Sequence, residues 1–293
     1  MGLAPQVLQY LLSGVVVGGI YALVGLGFVI IYSVTRVINF AQGEFAMLGA
    51  LFMVTLLGWG LPLPLACVLA AVGGCVVGAL LERAAIHPVR GGSPLTLIII
   101  TIGASTAVRG GALLAWGTDP FPLPAFTPGP PLQLGGAIIV RQGLWVLAVA
   151  LAIFAGLWAF FTKSYLGKAV QACAINPRAS RLMGIRVDRM FLLAFALAGG
   201  LGAVAGIVIA PITYATYDMG LMLGLKGFVA AVVGGLVSPP GAIVGGFLLG
   251  ILESLAAGLV SSGYKDAFAF LILILICLAQ VARLLPWRVV EET

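Results

Sequence analysis

Residues 162–189, TKSYLGKAVQACAINPRASRLMGIRVDR, carry Lys163, Lys168, Arg178, Arg181, Arg186 and Arg189 against a single acid, Asp188. Apolar segments long enough to cross a bilayer lie on both sides. Short loops rich in Lys and Arg are retained in the cytoplasm, so this stretch reads as a cytoplasmic loop between two spans. Its middle, Gly167 to Met183, reads as a short helix held at the membrane surface, where a cytoplasmic component can push on it.

The composition around that loop leaves one class of protein. Apolar residues make up 62% of the chain and charged residues 8%, where a soluble domain averages about 25% charged. The apolar runs are continuous, as in Phe268–Leu278, whereas barrel strands alternate apolar and polar residues. The expected class is therefore all-α and polytopic. The net charge of +6 belongs to loops between spans and does not imply nucleic-acid binding. Cys67, Cys75, Cys173 and Cys277 are too scattered for a disulfide framework. With His87 as the single histidine and no HExxH or CxxC motif, no metal site, cofactor or catalytic set is expected. Val7–Tyr32 is too long for the apolar core of a signal peptide and reads as a first span.

Spans are expected at 8–32, 40–58, 62–81, 95–116, 143–161, 190–210, 225–237, 241–260 and 267–285. Eleven of the fifteen Lys and Arg residues fall on the side of the 162–189 loop: Arg36, Arg83, Arg90, the six of the loop, Arg283 and Arg288. Arg141, Lys226 and Lys265 fall opposite, and Arg109 lies within a span. This bias puts the N-terminus outside and the C-terminus in the cytoplasm, with residues 1–293 forming a single transmembrane domain. The segment 225–237 makes only about 20 Å of helix, short of a roughly 30 Å hydrocarbon core. It is either a tilted crossing or one half of a re-entrant pair, so the expected total is about eight spans, between seven and nine. The Pro-rich stretch 117–142 is expected to be an ordered, extended loop outside, either a connector or a docking surface.

Few polar residues interrupt the spans. Arg36 to Glu44 forms a polar island in which Asn39 is a plausible N-cap and Glu44 follows about one turn later. Glu44 is either part of a helix-start cap or, with Asn39 and Gln42, a gate at the cytoplasmic end of a pathway. Arg109 either snorkels outward or lines that pathway. Glu253 has no cation near it in sequence, and Asp218 with Lys226 could pair outside the membrane. Glycines spaced by four, such as Gly74/Gly78 and Gly246/Gly250, suit close helix packing. The chain lacks the G-x-x-x-x-G-K-[ST] motif, so energy for uphill transport would come from an ion gradient or another subunit.

Gly19-Ile20-Tyr21-Ala22-Leu23 with Gly25 and Gly27, followed by Asn39-Phe40-Ala41-Gln42-Gly43-Glu44, resembles the N-terminal signature of branched-chain amino acid ABC importer permeases of the LivH type. The middle loop from Gly167-Lys168 to Val187-Asp188-Arg189 is similar to that family's coupling loop. Gly224-Leu225-Lys226-Gly227-Phe228, Gly234-Gly235, Pro240-Gly241 and Tyr264-Lys265-Asp266 resemble its C-terminal third. Where the family usually has histidine, this chain has Gln42, which cannot titrate near neutral pH. The resemblance implies a bacterial inner-membrane permease paired with a second, homologous permease subunit. Two cytoplasmic P-loop ATPases and a periplasmic substrate-binding protein complete the implied machine, in a setting of membrane lipid. It also implies an ATPase-coupling helix carrying Gly167, Lys168, Gln171, Asn176, Pro177, Arg181, Met183 and Gly184. Branched-chain or related nonpolar amino acids are the implied cargo. The competing readings are a gradient-driven carrier or channel, which predicts matching interrupted helices in two halves, and a membrane enzyme using Glu82, Arg83, His87 and Arg90.

Overall fold

The computed structural model describes residues 3–134 and 136–281. Arg283, Arg288 and the end of the 267–285 span lie outside the described residues. The helices are α1 (Leu3–Thr35), α2 (Gln42–Gly58), α3 (Leu63–Leu81), α4 (Pro94–Trp116), α5 (Arg141–Lys163), α6 (Tyr165–Ile175), α7 (Pro177–Leu182), α8 (Val187–Thr213), α9 (Met219–Gly234), α10 (Pro239–Leu259) and α11 (Lys265–Val281). Six of them, α1, α3, α4, α5, α8 and α10, are long and apolar enough to cross a membrane. Helices α2 and α9 are apolar but shorter. Among the described residues, a short hairpin of β1 (Leu132–Leu134) and β2 (Ala137–Ile139) in the Pro-rich loop and an isolated bridge between Phe121 and Ala215 add strand pairing to the helices.

Local chemistry sets the helix ends. Ser93 caps α4 by accepting from Thr96 N, and Ser238 caps α10 by accepting from Gly241 N, each followed by proline at the first helical position. The single surface helix expected over Gly167–Met183 is two helices. Asn176 ends α6, and its side chain caps α7 by accepting from Ala179 N. Pro177 explains the break, because it disfavours helical geometry in the residue before it. Gly184, at φ 81°, stops α7.

The core is built on α1 and α8, the two most buried long helices. Phe28 and Leu23 of α1 and Phe195 and Ala198 of α8 are fully or nearly fully buried. Close crossings depend on glycine. A Cβ on Gly206 would overlap the Ala46 backbone, one on Gly246 the Ala22 backbone, and one on Gly78 the Phe195 carbonyl. In lipid, where apolar surface gains little by leaving its surroundings, such backbone contact is a main source of helix cohesion.

The two halves repeat one plan. Helices α1 and α8 both end on a non-glycine residue with positive φ, Arg36 at 57° and Tyr214 at 64°. Each is followed by a short non-helical stretch (37–41 and 215–218) and then by a shortened helix, α2 or α9. A turn with a left-handed glycine (Gly60 or Gly235) leads into a helix begun with proline, α3 or α10. Packing is exchanged between the halves, with α1 against α10 and α3 against α8. Just before α5, Ile138 bonds Gln9 near the start of α1, and Gln142 in the first turn of α5 reaches Val208 near the end of α8, so the halves run in opposite directions. The matched interruptions of the two halves are 36–41 and 214–218.

Candidate functional site

The residues at the start of α2 form a buried polar seam. Phe40 N donates to Thr101 Oγ1 at 3.2 Å, and Ala41 N donates to Asn39 Oδ1 at 3.1 Å. Gln42 Nε2 donates to the Ala198 carbonyl at 2.9 Å. Glu44 Oε1 accepts from Ser105 Oγ at 2.8 Å and from Arg109 Nη2 at 3.0 Å. Glu44 is 1% exposed, whereas the Arg109 side chain is 26% exposed.

Thr101 and Arg109 lie about two and four turns into α4. Helix α2 therefore starts beside the middle of α4 and not beside its first turn. The cause is the extended stretch after Arg36, which carries the chain back along α4 while Thr101 and Asn39 satisfy its backbone groups. Asn39 is not the N-cap of α2. That position is Ala41, and it has no side-chain cap bond. Arg109 turns to Glu44 instead of snorkelling outward. Asn39 Nδ2, Gln42 Oε1 and Glu44 Oε2 are buried without a protein partner among the described residues, so the seam retains hydrogen-bonding capacity. Gly43 packs directly on Gly220 and Gly224, bringing the N-terminal turns of α2 and α9 together.

A second ionic cluster joins α1, α9, α10 and α11. Lys226 Nζ lies 2.8 Å from Glu253 Oε1 and 2.6 Å from Asp266 Oδ1. Lys265 Nζ is 3.3 Å from Glu253, and the Tyr21 hydroxyl donates to Glu253 at 3.1 Å. Lys226 is thus buried in α9, and its partners are Glu253 and Asp266 instead of Asp218. The spacing of 27 residues hid the cation that neutralises Glu253.

Helices α6 and α7 present a different surface. Lys168, Gln171, Asn176, Pro177, Arg181, Met183 and Gly184 are exposed. Gly167 is buried against the Phe160–Phe161 backbone and shapes the α5–α6 corner. Tyr165 (81% exposed), Ile175 (85%), Leu182 (90%) and Met183 (82%) add large apolar groups among the basic ones. Tyr165, Ile175 and Leu182 were missed in the sequence, and only Leu182, next to Arg181, carried a readable sign. Cys173 is buried beneath this face, and burial pushes its thiol pKa up.

Asp188 ties this face to the long helices. It lies 2.5 Å from Arg90 and 3.9 Å from Arg181. Arg90 also pairs with buried Glu82 and lies over the Phe191 ring. Glu82 and Arg90 thus anchor the 82–94 corner to α8. On the opposite end, Gln142 accepts from Phe126 N and donates to the Val208 carbonyl, and Arg141 donates to the Pro130 carbonyl. These bonds hold the Pro-rich loop against α5 and α8.

A family model described as "Branched-chain amino acid transport system / permease component" matches residues 10–277. The chain is 33% identical over 300 residues to the high-affinity branched-chain amino acid transport system permease protein BraD of Pseudomonas aeruginosa, covering 97% of each. It is 33% identical over 301 residues to LivH of Escherichia coli K12, again covering 97% of each. Among solved structures, PsaBC from Streptococcus pneumoniae in complex with Fab shares the fold, with a TM-score of 0.51 over 92% of this chain and 90% of that one at 15% identity. With its apolar helices, the chain is a multi-pass inner-membrane transport subunit. It belongs to the permease components of branched-chain amino acid transport systems.

Proposed function

We propose that this permease forms half of the translocation pathway of an ATP-binding-cassette importer for branched-chain or related nonpolar amino acids. Its partners are a second, homologous permease, two cytoplasmic P-loop ATPases and a periplasmic binding protein that delivers the cargo. The whole chain acts as one transmembrane domain, with the N-terminus outside and the C-terminus in the cytoplasm. Supporting this orientation is the gathering of Arg36, Arg90 and the α6–α7 basic residues at one end of the bundle. Arg36 donates to the Ala174 carbonyl there, and Arg90 meets Asp188.

The observation that carries the proposal is the α6–α7 face. Tyr165, Ile175, Leu182 and Met183 stand exposed among Lys168, Arg178 and Arg181 at the end of two long helices. Apolar groups gathered on a water-facing surface mark a docking site, and the basic residues favour an acidic groove on the partner. ATPase closure would push α6–α7 and, through Asp188 and Arg90, the ends of α8 and α3. The Glu44–Arg109 seam then acts as the gate, with Asn39 and Gln42 beside it.

The matched interruptions after Arg36 and Tyr214 favour a second reading, a gradient-driven carrier. Mass spectrometry of the tagged chain gently purified from its native membrane separates the two. The importer requires a stoichiometric second permease and P-loop ATPases. A lone chain or a homo-oligomer would contradict it.

A further inference from the structure

A cavity of about 650 Å³ lies away from the polar seam, between α1, α5, α6 and α10. Its walls are apolar, with Ile30 and Val34 on α1, Leu157 and Phe161 on α5, and Ile243 on α10. Phe154 of α5 also lines it and meets the Phe247 ring of α10 edge-on at 6.4 Å. Its other limit is α6, through Val170, Gln171 and Ala174.

Two exposed cations are attached to this lining. Lys163 Nζ lies 6.0 Å from the ring centre of Trp158, which lines the cavity. Arg36 Nη2 lies 3.4 Å from the carbonyl of Ala174, another lining residue. Tryptophan and basic residues at one level are the side chains that settle at a membrane interface. The cavity thus joins a ligand-sized apolar interior to positive charge at headgroup depth.

We infer that this cavity holds an acyl chain of an anionic phospholipid whose phosphate is bound by Lys163 and Arg36. The apolar walls select a hydrocarbon tail, and the two cations select a negative headgroup over a zwitterionic one. A chain seated there would brace α6 against α1, α5 and α10. The lipid would thereby set how firmly the coupling face is held.

The test is native mass spectrometry of the full chain in detergent, titrated with phosphatidylglycerol or with phosphatidylcholine of the same acyl chains. Wild type is expected to retain phosphatidylglycerol more tightly. Lys163→Gln is expected to weaken phosphatidylglycerol about fivefold and phosphatidylcholine by less. Ile243→Trp, which fills the cavity, is expected to weaken both. Ala174→Leu fills it from the α6 wall and replaces Ile243→Trp where thermal unfolding shows that variant to be misfolded. Equal retention of the two lipids, or retention of phosphatidylglycerol undiminished by a folded plug variant, would overturn the inference. No ATPase enters this test, so its outcome is independent of the importer reading.

Discussion

Arg109 Nη2 and Glu44 Oε1 lie 3.0 Å apart, joining the middle of α4 to the first turn of α2. Both residues lie within apolar segments, where an unpaired charge is costly. The pair solves that problem for each, and Arg109 keeps part of its side chain exposed. If the seam is a gate, the pair must loosen or exchange partners as cargo passes.

Replacing Glu44 with Gln should therefore reduce uptake at least tenfold and destabilise the chain by roughly 2 kcal/mol, allowing for the partial exposure of Arg109. Adding Arg109→Gln should recover much of the stability but not the uptake. Uptake assays with thermal unfolding in detergent check both. Normal uptake with lowered stability would reduce the pair to a structural tie.

The Lys226 cluster makes a second prediction. Lys226→Met leaves Glu253 with only Lys265 and Tyr21, at a cost of about 2–4 kcal/mol. The double variant Lys226→Met with Glu253→Gln should be more stable than Lys226→Met alone. A double-mutant cycle of unfolding temperatures measures this coupling, and simple additivity would refute it.

Gly43→Val should be damaging for a steric reason. Its side chain would meet the backbones of Gly220 and Gly224 where α2 and α9 touch. Neither backbone can step aside, so a loss of about 3 kcal/mol is expected, seen as little folded protein recovered after detergent extraction.

Cys173 offers a reporter for the coupling face. Burial and the raised thiol pKa should make it slow to react with maleimide at neutral pH, with labelling rising only above the usual thiol range. Asn176→Ala removes the cap of α7, worth about 1 kcal/mol, and should accelerate labelling by loosening the α6–α7 corner. Fast labelling of the intact chain would show that α6 is not seated as described.

Much of the fold was legible because lipid imposes a strict grammar. Continuous apolar runs located the long helices, and the Lys and Arg asymmetry gathered their basic ends. Ser164, Asn176, Pro177 and Gly184 carried the punctuation of the α6–α7 face, although the proline break was read through as one helix. The start of α2 was not legible. Residues 37–41 have the composition of an ordinary span start, and only Thr101 reveals that they run back beside α4. The partners of Glu253 come from helices α1, α9 and α11, so proximity in sequence gave no sign of them. The repeated halves were hidden because they share backbone geometry rather than side chains, with arginine at one left-handed position and tyrosine at the other.

The central claim is that α6–α7 transmits ATPase closure to the spans. Its most direct test is uptake and ATP hydrolysis measured together in proteoliposomes containing the complete transporter, with Leu182→Asp and Met183→Asp introduced into this chain. At least a tenfold loss of uptake and loss of cargo-stimulated hydrolysis are expected while the chain remains inserted and folded. Unchanged uptake and unchanged stimulation would contradict the claim.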